Sequence, residues 1–83
     1  MRKFNIVINN KKDFNIEIDV SKNINDNRKN IVNKYKLHNC VIDVYTLYGA
    51  HMMIDSFKVN HDIIENFNFE PEVGDYELYG KPL

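Results

Sequence analysis

The chain has 83 residues, with 11 basic and 12 acidic side chains and a formal net charge of −1. This length allows one small domain, residues 1–83, and leaves no room for a second hydrophobic core. The balanced charge excludes a polybasic protein, and the hydrophobic share of 43% excludes a disordered tail.

A single cysteine, Cys40, excludes an intrachain disulfide framework. The first residues, Met1 to Asn5, lack the apolar run of a signal peptide, and no window has enough uncharged apolar residues to span a membrane. We therefore expect a soluble, cytoplasmic protein. The sequence is rich in Asn, Ile and Lys, which AT-rich codons encode, as in low-GC bacteria, their phages and plasmids.

Two stretches near the N-terminus alternate between apolar and polar residues, which predicts half-buried β-strands. The two strands and the polar turn between them are 4–8, 14–20 and 9–13. A hairpin that pairs Phe4 with Ile18 places the apolar side chains on one face. The same register sets Lys3 opposite Asp19 on the other face.

A helix is predicted after this hairpin. Ser21 can cap its N-terminus, apolar residues recur at helical spacing from Ile24 to Tyr35, and Asn39 is the predicted stop. The apolar stripe is thin because Arg28 occupies one of its positions, and five Asn residues lower the helix propensity. The helix must therefore be stabilised mainly by packing on the hairpin.

A second hairpin follows the helix. Residues 40–48 are nearly continuously apolar, which is typical of a central strand. The Gly-Ala pair at 49–50 predicts a two-residue type II′ turn, and 51–59 form the returning strand. This turn sets the register and places Val44 opposite Asp55.

The remaining segment gives weaker patterns. Residues 62–67 predict one short helical turn capped by Asn60, and 76–79 predict a last edge strand. We expect 79–83 to be a frayed C-terminal end.

The order of hairpin, helix, hairpin and tail predicts a two-layer α+β fold. We expect ββαββ(β) connectivity, with one main helix packed on one face of an antiparallel or mixed sheet. This order resembles the β-grasp arrangement, the fold of ubiquitin-like domains. The chain ends without a Gly-Gly pair, so we expect no ubiquitin-like conjugation.

His38, Cys40 and His61 form the sharpest candidate for chemistry. The predicted register sets His38 opposite His61, with Cys40 one pair along on the same face. Such a set can activate a thiolate or hold zinc, with Asp62 as the nearest fourth ligand. The alternative, which we favour, is that Cys40 is a small core residue. We expect neither an enzyme nor a cofactor.

Two carboxylates on the second hairpin are the candidates for acid–base catalysis. The register places Asp43 and Asp55 on opposite faces, with Asp43 diagonal to Lys58 and ready to pair with it. Asp55 lies on an apolar face. The alternative, which we favour, is that Asp55 reaches solvent or a backbone donor at the end of the sheet.

Charge is divided unevenly along the chain. Residues 1–40 carry nine basic and four acidic side chains, whereas 41–83 carry two and eight, so the total of −1 is the sum of +5 and −6. The basic candidates for contact with a nucleic-acid backbone lie at the first hairpin tip and around the helix. They are Lys11, Lys12, Lys22, Arg28, Lys29, Lys34 and Lys36. The alternative is a solvated helix face.

The acidic half interleaves carboxylates with aromatic rings, which suits a basic groove on a partner protein. The candidate partner-binding residues are Asp62, Glu65, Phe67, Phe69, Glu70, Glu72, Asp75, Tyr76, Glu77 and Tyr79. The alternative is that the aromatic rings fold back over the sheet.

These observations favour a small non-enzymatic protein-binding module. We expect an inhibitor or accessory factor from a phage or mobile element, of the anti-defence or immunity type, that binds a basic surface of a host protein. The alternatives are a nucleic-acid-binding domain that uses the Lys-rich helix and hairpin tip, and a small Cys/His enzyme or metal site. An edge strand also offers a route to a homodimer.

Overall fold

The computed structural model describes residues 1–47, 50–66 and 79–80, and only the backbone of Asn66. Its elements are β1 (Arg2–Ile8), β2 (Lys12–Ile18), α1 (Ile24–Tyr35), β3 (Cys40–Thr46), β4 (Met53–Asn60) and β5 (Ile63–Asn66). Among these residues, the five strands form one antiparallel sheet in the order β2-β1-β3-β4-β5, and α1 packs against it. The prediction of an α+β fold with one main helix is confirmed.

The first hairpin has a shorter turn than predicted. Lys11 N–H donates to the Ile8 carbonyl at 3.0 Å. Asn9 and Asn10 adopt left-handed φ values of 52° and 57°, which asparagine tolerates better than most residues.

This turn moves the register of the first hairpin by two residues, so the predicted register was wrong. Phe4 lies opposite Ile16 rather than Ile18, and Lys3 lies opposite Glu17 rather than Asp19. A shift of two keeps every side chain on its predicted face, because the side-chain period of a strand is two.

The helix begins and ends at residues other than the predicted ones. Asn23, not Ser21, is the N-cap, and its Oδ1 accepts from the Asp26 N–H at 2.8 Å. Lys36, not Asn39, is the C-cap in a left-handed conformation. Within the described part of the chain, no helix is long and apolar enough to cross a membrane.

The central hairpin keeps the predicted register over most of its length. Val44 lies opposite Asp55, and Cys40 lies opposite Val59. A bulge after Val44 then sets Tyr45 opposite Met53. The predicted turn at 49–50 lies partly outside the described residues.

The predicted helical turn at 62–67 was wrong, because residues 63–66 form β5. Asn60 lies opposite Ile63, so only two residues separate β4 from β5. The first of them, His61, takes a φ of 58°, which allows this tight reversal.

The core lies between α1 and one face of the sheet, which we call the inner face. Its buried apolar residues are Phe4, Ile6, Ile16, Ile18, Ile24, Ile31, Val32, Cys40, Ile42, Val44, Ile54, Phe57, Val59 and Tyr79. Tyr79 and Gly80 are buried, so the expectation of a frayed end was wrong for these two. Residues 81–83 and most of the predicted 76–79 strand lie outside the described part.

Candidate functional site

The sheet order separates the two charged halves of the chain. The N-terminal half supplies β2 and β1, whereas the C-terminal half supplies β3, β4 and β5. Lys11 and Lys12 are therefore exposed at one edge, and Asp62 and Glu65 are exposed at the other. The β2 edge also carries Asp13, Glu17 and Asp19, so the two edges differ in their content of basic residues and not in a simple division of charge.

The strongest candidate surface lies at the β5 edge, and we call Asp62, Ile63 and Glu65 the β5 patch. Ile63 is 66% exposed, an unusual position for a large apolar side chain on a strand between carboxylates. Asp62 is exposed on the turn before it, and Glu65 is exposed on the strand. The patch therefore presents an apolar side chain flanked by negative charge.

Hydrogen bonds hold the turn that carries this patch. The His61 N–H donates to Asn39 Oδ1 at 2.7 Å, and the His61 carbonyl lies 3.1 Å from His38 Nδ1. On the strand, Glu65 lies opposite Lys58 and accepts from Asn60 Nδ2 at 3.3 Å. The β5 patch is thus fixed to the sheet by neighbouring side chains, which limits the entropy lost on binding.

Most of the acidic and aromatic candidates lie outside the described residues. They are Phe67, Phe69, Glu70, Glu72, Asp75, Tyr76 and Glu77. Of the ten predicted partner-binding residues, the structure brings Asp62 and Glu65 together on one surface.

Tyr79 was wrongly predicted to be on the partner-binding surface. Its side chain is fully buried, its ring meets the edge of Phe4 at a centroid distance of 5.6 Å, and its carbonyl accepts from Asn27 Nδ2 at 3.0 Å. The next residue is glycine because a Cβ at Gly80 would lie only 2.7 Å from that same Nδ2. Tyr79 therefore anchors this end of the chain to the core.

The hydroxyl of Tyr79 is buried without a hydrogen-bond partner of acceptable geometry among the described residues. Burial, and then the negative charge of Asp55, raise the pKa of Tyr79 well above its ordinary value. The hydroxyl is therefore held protonated. That state suits a structural side chain and gives no catalytic base.

Arg28 was wrongly predicted to be a contact for nucleic acid, because it is buried in an ion pair. Its Nε and Nη2 donate to the two carboxylate oxygens of Asp55 at 2.8 and 2.6 Å, and its guanidinium lies 5.6 Å from the centre of the Phe57 ring. Asp55 also accepts from the Ser56 N–H at 2.9 Å. Asp55 was expected to reach solvent or a backbone donor: solvent was wrong, since the side chain is fully buried, whereas the Ser56 N–H is such a donor.

The sequence held a signal for this ion pair that the prediction missed. Arg28 interrupts the apolar stripe of the helix, and Asp55 interrupts the apolar face of the strand. Two opposite charges on surfaces that must pack together indicate a buried pair, because an isolated buried charge is strongly unfavourable.

The other basic candidates are on the surface. They are Lys11, Lys12, Lys22, Lys29, Lys34 and Lys36, all exposed. Lys29 and Lys34 lie within α1, whereas Lys22 precedes its N-cap and Lys36 is its C-cap. The ammonium of Lys34 lies 5.6 Å from the centre of the Tyr35 ring.

The structure does not bring the Cys/His candidates together as predicted. His38 contacts the backbone carbonyl of His61, and Cys40 is buried in the core. Burial raises the pKa of the Cys40 thiol, which disfavours the nucleophilic thiolate. Among residues 1–47, 50–66 and 79–80, no group of three His, Cys, Asp or Glu side chains is placed to hold a metal ion.

The two carboxylates of the central hairpin lie on opposite faces, as predicted. Asp43 accepts from the Ser56 hydroxyl at 2.6 Å on the face away from α1, which we call the outer face. The predicted pairing of Asp43 with Lys58 was therefore wrong. Ser56 lies directly opposite Asp43 on β4, and its hydroxyl is the group that contacts the carboxylate.

Neither a family model, nor a curated protein, nor a solved structure matches this chain. Function must therefore be inferred from where this chain places its own residues. Among the described surfaces, the β5 patch best fits a binding role.

Proposed function

We propose that this protein is a small non-enzymatic binding module whose partner is a protein with a basic surface. The observation that carries the proposal is the β5 patch, where Ile63 is 66% exposed between the exposed carboxylates of Asp62 and Glu65. An exposed apolar group with charges at its rim has the layout of a small protein-binding surface.

The patch indicates the chemistry of its partner. Ile63 would fill a shallow apolar pocket, and the flanking carboxylates would face Lys or Arg side chains around that pocket. The further carboxylates and aromatic residues of 67–77 extend this composition in the sequence. The charges would accelerate association and select for a basic partner, while Ile63 would supply buried apolar area.

The experiment compares capture of proteins from a lysate of the source cells by the wild-type chain and by two double variants. Asp62→Lys with Ile63→Ser alters the patch. Asp13→Lys with Met52→Ser makes the same two changes at exposed residues elsewhere. Glu65 is left unchanged because a lysine there would face Lys58.

We expect the first variant to lose a protein that the wild type and the control variant both retain. Far-ultraviolet circular dichroism checks that all three are folded. Equal capture by all three would refute the proposal.

We extend the proposal to the biological role. The small size, the absence of a recognised catalytic motif in the sequence and the AT-biased composition suit a cytoplasmic inhibitor or accessory factor of a phage or mobile element, of the anti-defence or immunity type. The test is the identity of the captured protein: a host defence enzyme or toxin supports this role, and a housekeeping complex contradicts it.

Nucleic-acid binding is the second candidate, and the exposed lysines on α1, Lys29 and Lys34, favour it. Binding of this kind weakens steeply with salt because counterions are released. Lys29→Glu with Lys34→Glu would abolish it and leave capture through the β5 patch unchanged. Binding of duplex DNA or RNA that decreases with salt and is lost in this variant would replace the protein-binding proposal.

We also propose a finer description of the fold. The β-grasp-like arrangement is supported by the order of hairpin, helix and hairpin along the chain.

A further inference from the structure

The second sheet edge, β2, differs from the β5 edge in its distribution of charge. Among the described strands, β2 pairs only with β1, so the other side of its backbone has no strand beside it. Its turn end carries Lys11 and Lys12, and its far end carries Glu17 and Asp19. An unpaired strand edge is a template for pairing with another strand.

This charge distribution fits a second copy of the same strand. When two identical strands pair antiparallel about a two-fold axis, the start of each lies beside the end of the other. The basic start of one β2 then meets the acidic end of its partner, twice. The strand is electrostatically complementary to itself in the antiparallel orientation and not in the parallel one.

One register pairs opposite charges and sets no like charges against each other. With Phe14 on the two-fold axis, Lys11 lies opposite Glu17 of the second copy, and Asp13 lies opposite Asn15. A register shifted to place Asn15 on the axis sets Asp13 against Glu17, and cross-strand pairs of like charge are unfavourable.

The same register brings apolar groups together on the inner face. Phe14 is half-buried and packs against Tyr35 of α1 with a ring-centroid distance of 4.8 Å. A groove of about 530 Å³ lies between α1 and β2, with Ile16, Ile31 and Tyr35 among its lining residues. A second Phe14–Tyr35 pair at the two-fold axis would cover apolar surface that this groove leaves open to solvent.

We propose that the chain forms a symmetric homodimer through antiparallel pairing of β2 with β2 of a second copy, with Phe14 on the two-fold axis. The pairing joins two five-stranded sheets into one and leaves the β5 patch of each copy at an outer edge. The proposed dimer does not depend on the function proposed for the β5 patch.

The test is sedimentation velocity of the full chain over a concentration series, with three variants. Lys11→Glu places like charges opposite each other at two symmetric positions, and we expect it to weaken dimerisation about tenfold or more. Lys12→Glu is the matched control, because it makes the same charge change opposite the uncharged Ile16. Lys11→Glu combined with Glu17→Lys restores the opposite charges between the copies and should restore the dimer. This variant also carries Lys3→Glu, because Lys3 lies opposite Glu17 in the same hairpin and would otherwise face a lysine.

Each result decides the proposal. A wild-type chain that stays monomeric at its highest soluble concentration overturns it. A dimer that is equally weakened by Lys11→Glu and Lys12→Glu, or that is not restored by the charge exchange, overturns the register. Circular dichroism of each variant separates loss of pairing from loss of fold, and all four substituted positions are exposed in the single copy.

Discussion

The two faces of the sheet differ in how many hydrogen bonds their buried polar groups make, as the neighbouring residues Asp55 and Ser56 show. On the inner face, Asp55 is fully buried and accepts three hydrogen bonds, two of them from Arg28. On the outer face, Ser56 is only partly buried and donates one hydrogen bond to Asp43.

The difference follows from access to water. A polar group under the helix must find all its partners within the protein, because an unpaired charge there costs several kcal/mol. On the outer face, a lost hydrogen bond is partly replaced by solvent. The ion pair therefore joins α1 to β4 inside the core, whereas the outer-face hydrogen bond joins two neighbouring strands.

The largest expected effect comes from breaking the inner-face ion pair. Asp55→Ala leaves the Arg28 guanidinium buried without its carboxylate, and we expect the free energy of unfolding to fall by about 3–5 kcal/mol. Urea unfolding followed by circular dichroism measures it. A loss no larger than that of Asp43→Ala would contradict the distinction between the faces.

Replacing both members of the ion pair tests whether the pair itself stabilises the fold. Arg28→Met with Asp55→Leu removes both charges and keeps apolar volume at the helix–sheet contact. We expect this variant to recover most of the stability lost in Asp55→Ala, since a buried ion pair contributes little beyond the cost of breaking it. Failure to recover would mean that the pair itself determines the packing of α1.

Substitutions of Tyr79 are a second test of the inner face, because the buried group there is an aromatic ring and not a charge. Tyr79→Ala removes a fully buried ring, and we expect a loss of about 3 kcal/mol. Tyr79→Phe removes only a hydroxyl without a hydrogen-bond partner, so we expect a change of less than about 1 kcal/mol. Urea unfolding of both variants measures the difference, and equal losses would show that the hydroxyl is the stabilising group.

The raised pKa of Tyr79 adds a pH dependence to this comparison. The folded chain keeps the proton above pH 10, whereas the unfolded chain releases it near that pH. The contribution is therefore complete below about pH 10 and is lost as the pH rises further. Tyr79→Phe should unfold less readily than the wild type in alkaline solution.

The sequence predicted the fold where one periodic pattern dominated. Alternation over 4–8 and 14–20 indicated the first hairpin, and the continuous apolar run at 40–48 indicated the central strand. Where two patterns were compatible with the same residues, the prediction failed. The first turn changed the register because Asn9 and Asn10 can both take left-handed conformations, a local choice that alternation does not report.

The candidate site was less predictable than the fold. An exposed Ile63 looks the same in sequence as the partly buried Ile64 beside it. Only the tight turn at His61 decides that these residues form a strand and not a helix. Tyr79 and Arg28 were assigned to the surface because each lies among charged residues. Burial depends on contacts with β1 and β4, which are distant in the sequence.

A smaller effect is expected for the outer-face hydrogen bond. Ser56→Ala removes the donor to Asp43, and we expect a loss of about 1 kcal/mol, because Ser56 is only partly buried and water can take the place of its hydroxyl. Asp43→Asn combined with Ser56→Ala should lose little more than either change alone. Urea unfolding of the three variants gives the coupling between the two side chains, and additive losses would contradict the contact.

The smallest effect is expected at the exposed end of the first hairpin, where solvent reaches both partners. Hydrogen bonds from the Ser21 hydroxyl and backbone N–H, at 2.6 and 3.0 Å, lower the pKa of Asp19, with a minor contribution from the charge of Lys22. Because the folded pKa is depressed, this stabilisation is present at neutral pH and is lost as the pH falls through the folded pKa. Nuclear magnetic resonance titration of the Asp19 carboxyl group should show its pKa rising in Ser21→Ala and rising less in Lys22→Gln. The reverse order would mean that charge, and not hydrogen bonding, controls this carboxylate.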